Sequence, residues 1–172
     1  MLPHEINKAF RARLSQGGAV LMPGAANALA ARMIAGMGFE AIYLSGAGLT
    51  NMFHGMPDHG FVSLTELAQH TSAIRNTTDL PLVVDADTGF GNAVNTYHTV
   101  RMLERAGASA IQIEDQLSPK RCGHFTGKEV VDIVEARSRI KAAADARQDE
   151  NLLIVARTDA RATRGVEEAL DR

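Results

Sequence analysis

Two short stretches hold most of the chemistry in this chain. VVDADTGFG (83–91) carries Asp85 and Asp87, and IEDQLSPKRCGH (113–124) carries Glu114 and Cys122, the one cysteine present. Residues two apart on a strand share a face, so Asp85 and Asp87 are expected to point the same way. Glu114 ends the next β-rich run. Three carboxylates on one rim repel each other unless a cation sits between them. Oxygen ligands with several open positions suit Mg²⁺, and Mn²⁺ meets the same requirement, with waters completing the octahedron. The structural alternative is that some of them cap helices or pair with Arg157 or Lys120. Cys122 follows Lys120 and Arg121 and precedes Gly123 and His124. Cationic neighbours favour a thiolate and lower the pKa from about 8.5 towards neutrality. Such a group works as a proton donor and acceptor, or as a nucleophile. A buried structural cysteine is the bland alternative. Structural cysteines sit in apolar runs, whereas SPKRCGHFTG is a polar, glycine-punctuated loop.

Other chemistries find less support. The six histidines give no H-x-x-x-H and the cysteine no C-x-x-C, so no zinc site is expected. The 172 residues carry a net charge of −2 and are 45% hydrophobic, an ordinary globular composition with no electrostatic case for nucleic acid. The longest apolar runs are too short to span a bilayer, and the N-terminal stretch has charges where a signal peptide needs apolar residues. A single cysteine cannot form an internal disulfide, which makes the cytoplasm the default location.

Something must position those groups, and two patterns alternate along the chain. Short β-rich runs are AVLM (19–22), AIYLS (41–45), LPLVVDAD (80–87), ASAIQIE (108–114) and NLLIVART (151–158). Between them lie helical spacings, closed by Gly38 in one case and Gly107 in another, with a capping-box spacing at Ser63 and Glu66 and a fourth helix over 129–146. An amphipathic helix over about 5–14 precedes everything. Alternation of this kind predicts an α/β fold with a parallel sheet. The first strand–helix turn, MPGAANA, is not G-x-G-x-x-G, which disfavours the doubly wound option. Ser45, Asp85, Asp87, Glu114 and Arg157 fall at or just past the C-terminal ends of predicted strands, the rim that carries chemistry in a (β/α)8 TIM barrel. A complete barrel takes about 250 residues. About five strand–helix units are legible here, so residues 1–172 read as the N-terminal part of a single barrel catalytic domain.

YLSGAG (43–48), VDADTGFG (84–91), IEDQ (113–116), KRCGH (120–124) and ARTDA (156–160) occur in the order found in the isocitrate lyase/phosphoenolpyruvate mutase superfamily, which this chain resembles over nearly its whole length. KRCGH is the lyase signature, and the short-chain members typified by 2-methylisocitrate lyase are the most similar group. After it, FTGKEVV is closer to dimethylmalate-lyase-like members. The resemblance implies a (β/α) barrel, Mg²⁺ dependence and cleavage of a C–C bond in a 2-hydroxy di- or tricarboxylate, giving a 2-oxo acid such as pyruvate and a dicarboxylate such as succinate. It implies that Ser45, Gly46 and Ala47 receive a substrate carboxylate, that Asp85 and Asp87 hold the metal with Glu114 close behind, and that Gly123 and His124 contact substrate. Arg157 would pair with a carboxylate, Cys122 would be the general acid and Tyr43 would handle the alcohol or its oxyanion. It further implies a homo-oligomer, a tetramer in full-length members, with later-strand residues completing the site. Two readings stand beside the lyase: phosphonopyruvate-type P–C chemistry on the same metal site, whose members generally lack KRCGH, and a chain with no activity of its own.

Overall fold

The computed structural model describes residues 1–123 and 125–172; His124 lies outside them. Among the described residues, β1 (Ile42–Leu44), β2 (Leu82–Asp85), β3 (Ala110–Glu114) and β4 (Leu153–Arg157) form one sheet in the order β1-β2-β3-β4, every pair parallel. A doubly wound sheet reverses its strand order at a switch point. Here each strand simply joins the next in sequence, the winding of a barrel wall.

The crossovers are α4 (Leu64–Arg75), α5 (Ala93–Arg105) and α6 (Ile133–Ala146), while α1 (Pro3–Ser15) and α2 (Ala28–Gly36) precede β1. Their starts follow the residues at the caps. Ser63 Oγ accepts from the Glu66 N–H while Glu66 accepts from the Ser63 N–H at 2.8 Å, completing the expected box. Asn27, Asn92 and Asp132 cap α2, α5 and α6 through side-chain oxygens, each such cap being worth about 1 kcal/mol.

The β-rich run at 19–22 does not become a strand. Pairing is confined to a single parallel bridge between Gly24 and Tyr43, with the Tyr43 N–H donating to Pro23 O at 3.0 Å. Pro23 has no N–H to extend a ladder, and Val20 and Met22 pack onto the α1 contact instead. Likewise α6 starts at Ile133 rather than 129, because Val130 forms an antiparallel bridge with Gln116.

Strand alternation separates two faces. Ile42, Leu44, Leu82, Val84, Ile111 and Ile113 pack towards the helices with Leu67, Ile74, Val100 and Leu103. Tyr43, Val83, Ala110 and Leu153 take the opposite face, where Phe10 of α1 closes the N-terminal end. Ile111 is fully buried at the centre of the helix-facing core. Ile111→Ala should therefore cost about 2–5 kcal/mol in urea unfolding; a loss below 1 kcal/mol would mean that this layer does not hold the sheet together.

Candidate active site

The inner face continues towards the C-terminal strand ends with polar residues. By alternation, Asp85 follows Val83, Glu114 follows Ala110 and Gln112, and Arg157 follows Leu153 and Val155. Register sets Glu114 beside Arg157 and Asp85 beside Gln112. A cavity of about 230 Å³ opens there, with Tyr43, Ser45, Ala47, Asp85, Glu114, Cys122, Gly123 and Arg157 in its wall, joined by Asp58, Lys120 and Arg121. A larger cavity, about 490 Å³, shares Glu114 and Arg157 with it but is otherwise lined by residues such as Ala136, Ile140 and Ala144 and holds none of Tyr43, Ser45, Asp85 or Cys122.

Asp87 reaches the site by a different route from the one the pleat suggested. β2 ends at Asp85, and Asp87 adopts φ 47°, a left-handed conformation that aspartate tolerates better than most residues. The turn is locked behind it: the Thr99 hydroxyl donates to Gly89 O at 3.0 Å, and a Cβ on Gly89, at φ 82°, would meet Thr96 Oγ1 at 2.5 Å. Both carboxylates nevertheless converge. A Cβ built on Gly46 would lie 3.2 Å from Asp87 Oδ1 and 3.7 Å from Asp85 Oδ2. Gly46 thus backs the acidic pair, while Ser45 and Ala47 face the cavity. Ser45 caps the short helix α3 (Gly46–Leu49), accepting from the Gly48 N–H at 3.2 Å, and a single-turn π-helix, Thr50–His54, follows.

Two further residues, Lys120 and Asp58, join this wall. Lys120 Nζ lies 2.6 and 2.7 Å from the Asp58 oxygens and 2.8 Å from Asp87 Oδ1, with Lys120 and Asp58 both buried. Pairing with Lys120 is the structural alternative weighed from the sequence, and it forms; Asp58, in the loop GMPD, has no role assigned from the sequence. Nothing local in the sequence indicates that these two loops meet. The second pairing weighed from sequence also forms, Arg157 Nη1 to Glu114 Oε2 at 3.1 Å.

Charge does not balance here. Asp58, Asp85, Asp87 and Glu114 face Lys120 and Arg157 as close cations. Burial first, and then Asp85, pushes Asp87 up to about 6 in spite of Lys120. Burial pushes Glu114 up to about 8, with Arg157 opposing and Asp87 and Asp85 adding to the rise. Glu114 Oε1 is buried and has no hydrogen-bond partner among the described residues. An orphaned carboxylate oxygen beside two converging aspartates fits an added cation. Among the described residues no three His, Cys, Asp or Glu side chains are gathered closely enough to hold a metal ion by themselves, so the three-carboxylate set expected from the sequence is not assembled as a ligand group here. Tyr43 has its phenol pKa raised, by burial and then by Asp85, so it is a hydrogen-bond donor at neutral pH.

Cys122 and Gly123 belong to the loop after β3. Arg157 approaches so closely that a Cβ on Gly123 would meet its Nη2 at 2.7 Å, so a side chain there would shift the guanidinium. The arrangement can bind a small acid between an arginine and an acidic, cation-ready pocket, with a thiol and a phenol alongside.

Comparison with known proteins gives the family. A family model described as phosphoenolpyruvate phosphomutase matches residues 10–172. The chain is 52% identical to 2-methylisocitrate lyase of Aeropyrum pernix over 153 residues, 89% of this chain and 49% of that protein. The crystal structure of 2,3-dimethylmalate lyase superposes with a TM-score of 0.92 at 35% identity, covering 99% of this chain and 57% of that one. Phosphonopyruvate hydrolase in complex with oxalate and Mg²⁺ follows at 0.87 and 36%, covering 98% and 56%. The chain spans about half the length of the relatives it matches. Among its described residues no helix is long and apolar enough to cross a membrane. On family match, identity and fold together, the chain belongs to the phosphoenolpyruvate mutase/isocitrate lyase superfamily and is 2-methylisocitrate lyase-like.

Proposed function

We propose that residues 1–172 form the N-terminal part of a single (β/α) barrel catalytic domain that cleaves a C–C bond in a small 2-hydroxy di- or tricarboxylate. The observation that carries this reading is the presence of Cys122 in one cavity wall with Tyr43, Ser45, Asp85, Glu114 and Arg157. The thiol belongs to KRCGH, which phosphonopyruvate-type members generally lack, and so favours the lyase over P–C chemistry.

Asp85 and Asp87 would hold Mg²⁺, directly or through water, with Glu114 in support. When bound, the ion would act as a Lewis acid that stabilises the developing 2-oxo acid. Arg157 would take a substrate carboxylate in its planar fork, and Ser45, Gly46 and Ala47 would receive another through hydroxyl and backbone donors. Tyr43 would donate to the alcohol oxygen. After the hydroxyl gives its proton to a water molecule in the site, the C–C bond breaks and its electron pair passes to the departing fragment as an enolate-like carboxylate, whose charge the nearby cations would spread. The Cys122 thiol would then protonate that carbon. His124 would contact substrate beside it. Subunit association, expected from the family, belongs to the same proposal.

Cys122→Ser should lower Mg²⁺-dependent release of 2-oxo acid from a panel of 2-hydroxy acids by roughly 10²- to 10⁴-fold; full turnover in that variant would exclude the thiol as the acid.

A pH test addresses the metal. Asp87 and Glu114 have folded-state pKa values above their ordinary ones, about 6 and about 8. The stability they contribute is present below their unfolded values and is lost as pH rises through the folded ones. In EDTA, Tm should therefore fall between pH 4 and pH 8. Saturating Mg²⁺ binds the ionised carboxylates and should flatten that fall, adding about 2.7 kcal/mol at a hundredfold excess over Kd. Identical curves with and without Mg²⁺ would remove the ion from this site.

A further inference from the structure

Two residues of the family motifs have no part in the mechanism above: Gln116 of IEDQ and Asp159 of ARTDA. Both are buried. The Gln116 side chain acts as a surrogate peptide group for the residue before the thiol. Its Oε1 accepts from the Arg121 N–H at 3.0 Å, and its Nε2 donates to Arg121 O at 3.0 Å. The second Nε2 hydrogen goes to Asp159 Oδ2 at 2.9 Å. On the other side of the thiol, Lys128 Nζ donates to Gly123 O and lies 3.6 Å from Asp159 Oδ1.

The contacts close a ring. From Asp159 it runs through Gln116 to Arg121, along the backbone past Cys122 to Gly123, and through Lys128 back to the same carboxylate. Asp159 is itself fixed, since its N–H donates to Asp115 Oδ1 at 2.9 Å and Arg157 Nη2 approaches it at 3.3 Å. A buried amide with both donors engaged and its carbonyl accepting is costly to disturb.

We propose that Gln116, Lys128 and Asp159 are positioning residues, a clamp that holds the backbone on both sides of Cys122 so that its thiol meets the substrate carbon at a fixed place. This rests on the acid role of Cys122 given above, but the clamp is measurable without turnover. Because the chain has one cysteine, total thiol modification reads that residue alone.

The experiment is the rate of iodoacetamide alkylation from pH 6 to pH 10, beside Tm. Gln116→Glu keeps the acceptor for the Arg121 N–H but loses both donors and repels Asp159. Lys128→Met removes the second arm. Each should raise the alkylation plateau at high pH at least fivefold, with Tm within a few degrees of wild type. Lys128→Arg, which still donates to Gly123 and faces Asp159, should restore the wild-type plateau. Plateaus unchanged in both Gln116→Glu and Lys128→Met would overturn the clamp, as would a Lys128→Arg no slower to react than Lys128→Met. Turnover retained in Cys122→Ser would remove the acid and leave the clamp standing, so the two failures are distinct.

Discussion

Everything at the C-terminal rim depends on how buried negative charge is offset. Taking a carboxylate out of water costs several kcal/mol unless it is paired and its oxygens are occupied. Lys120 meets that requirement for Asp58 and Asp87 at once. The three residues come from three separate connections: the one after the π-helix, the one after β3 and the one after β2. Neutralisation therefore also draws those loops over the strand ends. Arg157 does the same for Glu114 on the neighbouring strand. What remains buried without a hydrogen-bond partner at this rim, among the described residues, is Glu114 Oε1.

The sheet below makes this arrangement affordable. Its helix-facing side is filled with aliphatic residues, and Phe10 seals the N-terminal end of the other side. Apolar burial is thus complete before the polar layer begins, and the charged residues sit on an already stable base. That separation matches the general habit of barrels, in which the C-terminal face carries chemistry and the opposite face carries stability. The Asp159 ring adds a second, smaller polar layer that serves the loop instead of the sheet.

Local signals were readable in the sequence and distant pairings were not. The Ser63–Glu66 box, the helix closed by Gly107 and the four strands follow from caps and apolar runs, which need only neighbours along the chain. AVLM looked like a strand for the same reason, yet Pro23 and the pull of Phe10 limited it to one bridge, a tertiary outcome that no window of four residues contains. The convergence of Asp85 and Asp87 was anticipated on pleat geometry, whereas a left-handed Asp87 in a locked turn produces it. Asp58 received no role from the sequence because its partner, Lys120, lies far along the chain. Gln116 was quoted only as part of a motif, since an amide that imitates a peptide group is recognisable only once its partner backbone is in place.

The two faces of the sheet differ by a single step along each strand. Ile113 belongs to the core and Glu114 to the cavity; Val84 to the core and Asp85 to the cavity. Adding or deleting one residue inside β2 or β3 would exchange the two sets, presenting isoleucine to substrate and a carboxylate to the helices. Substitution at inner-face positions carries no such penalty. Divergence of substrate preference within this architecture is therefore open to point changes on the strands and to length changes only in the loops beyond them, so the spacing of DAD, IED and ART is under a stricter constraint than the identity of the residues between them.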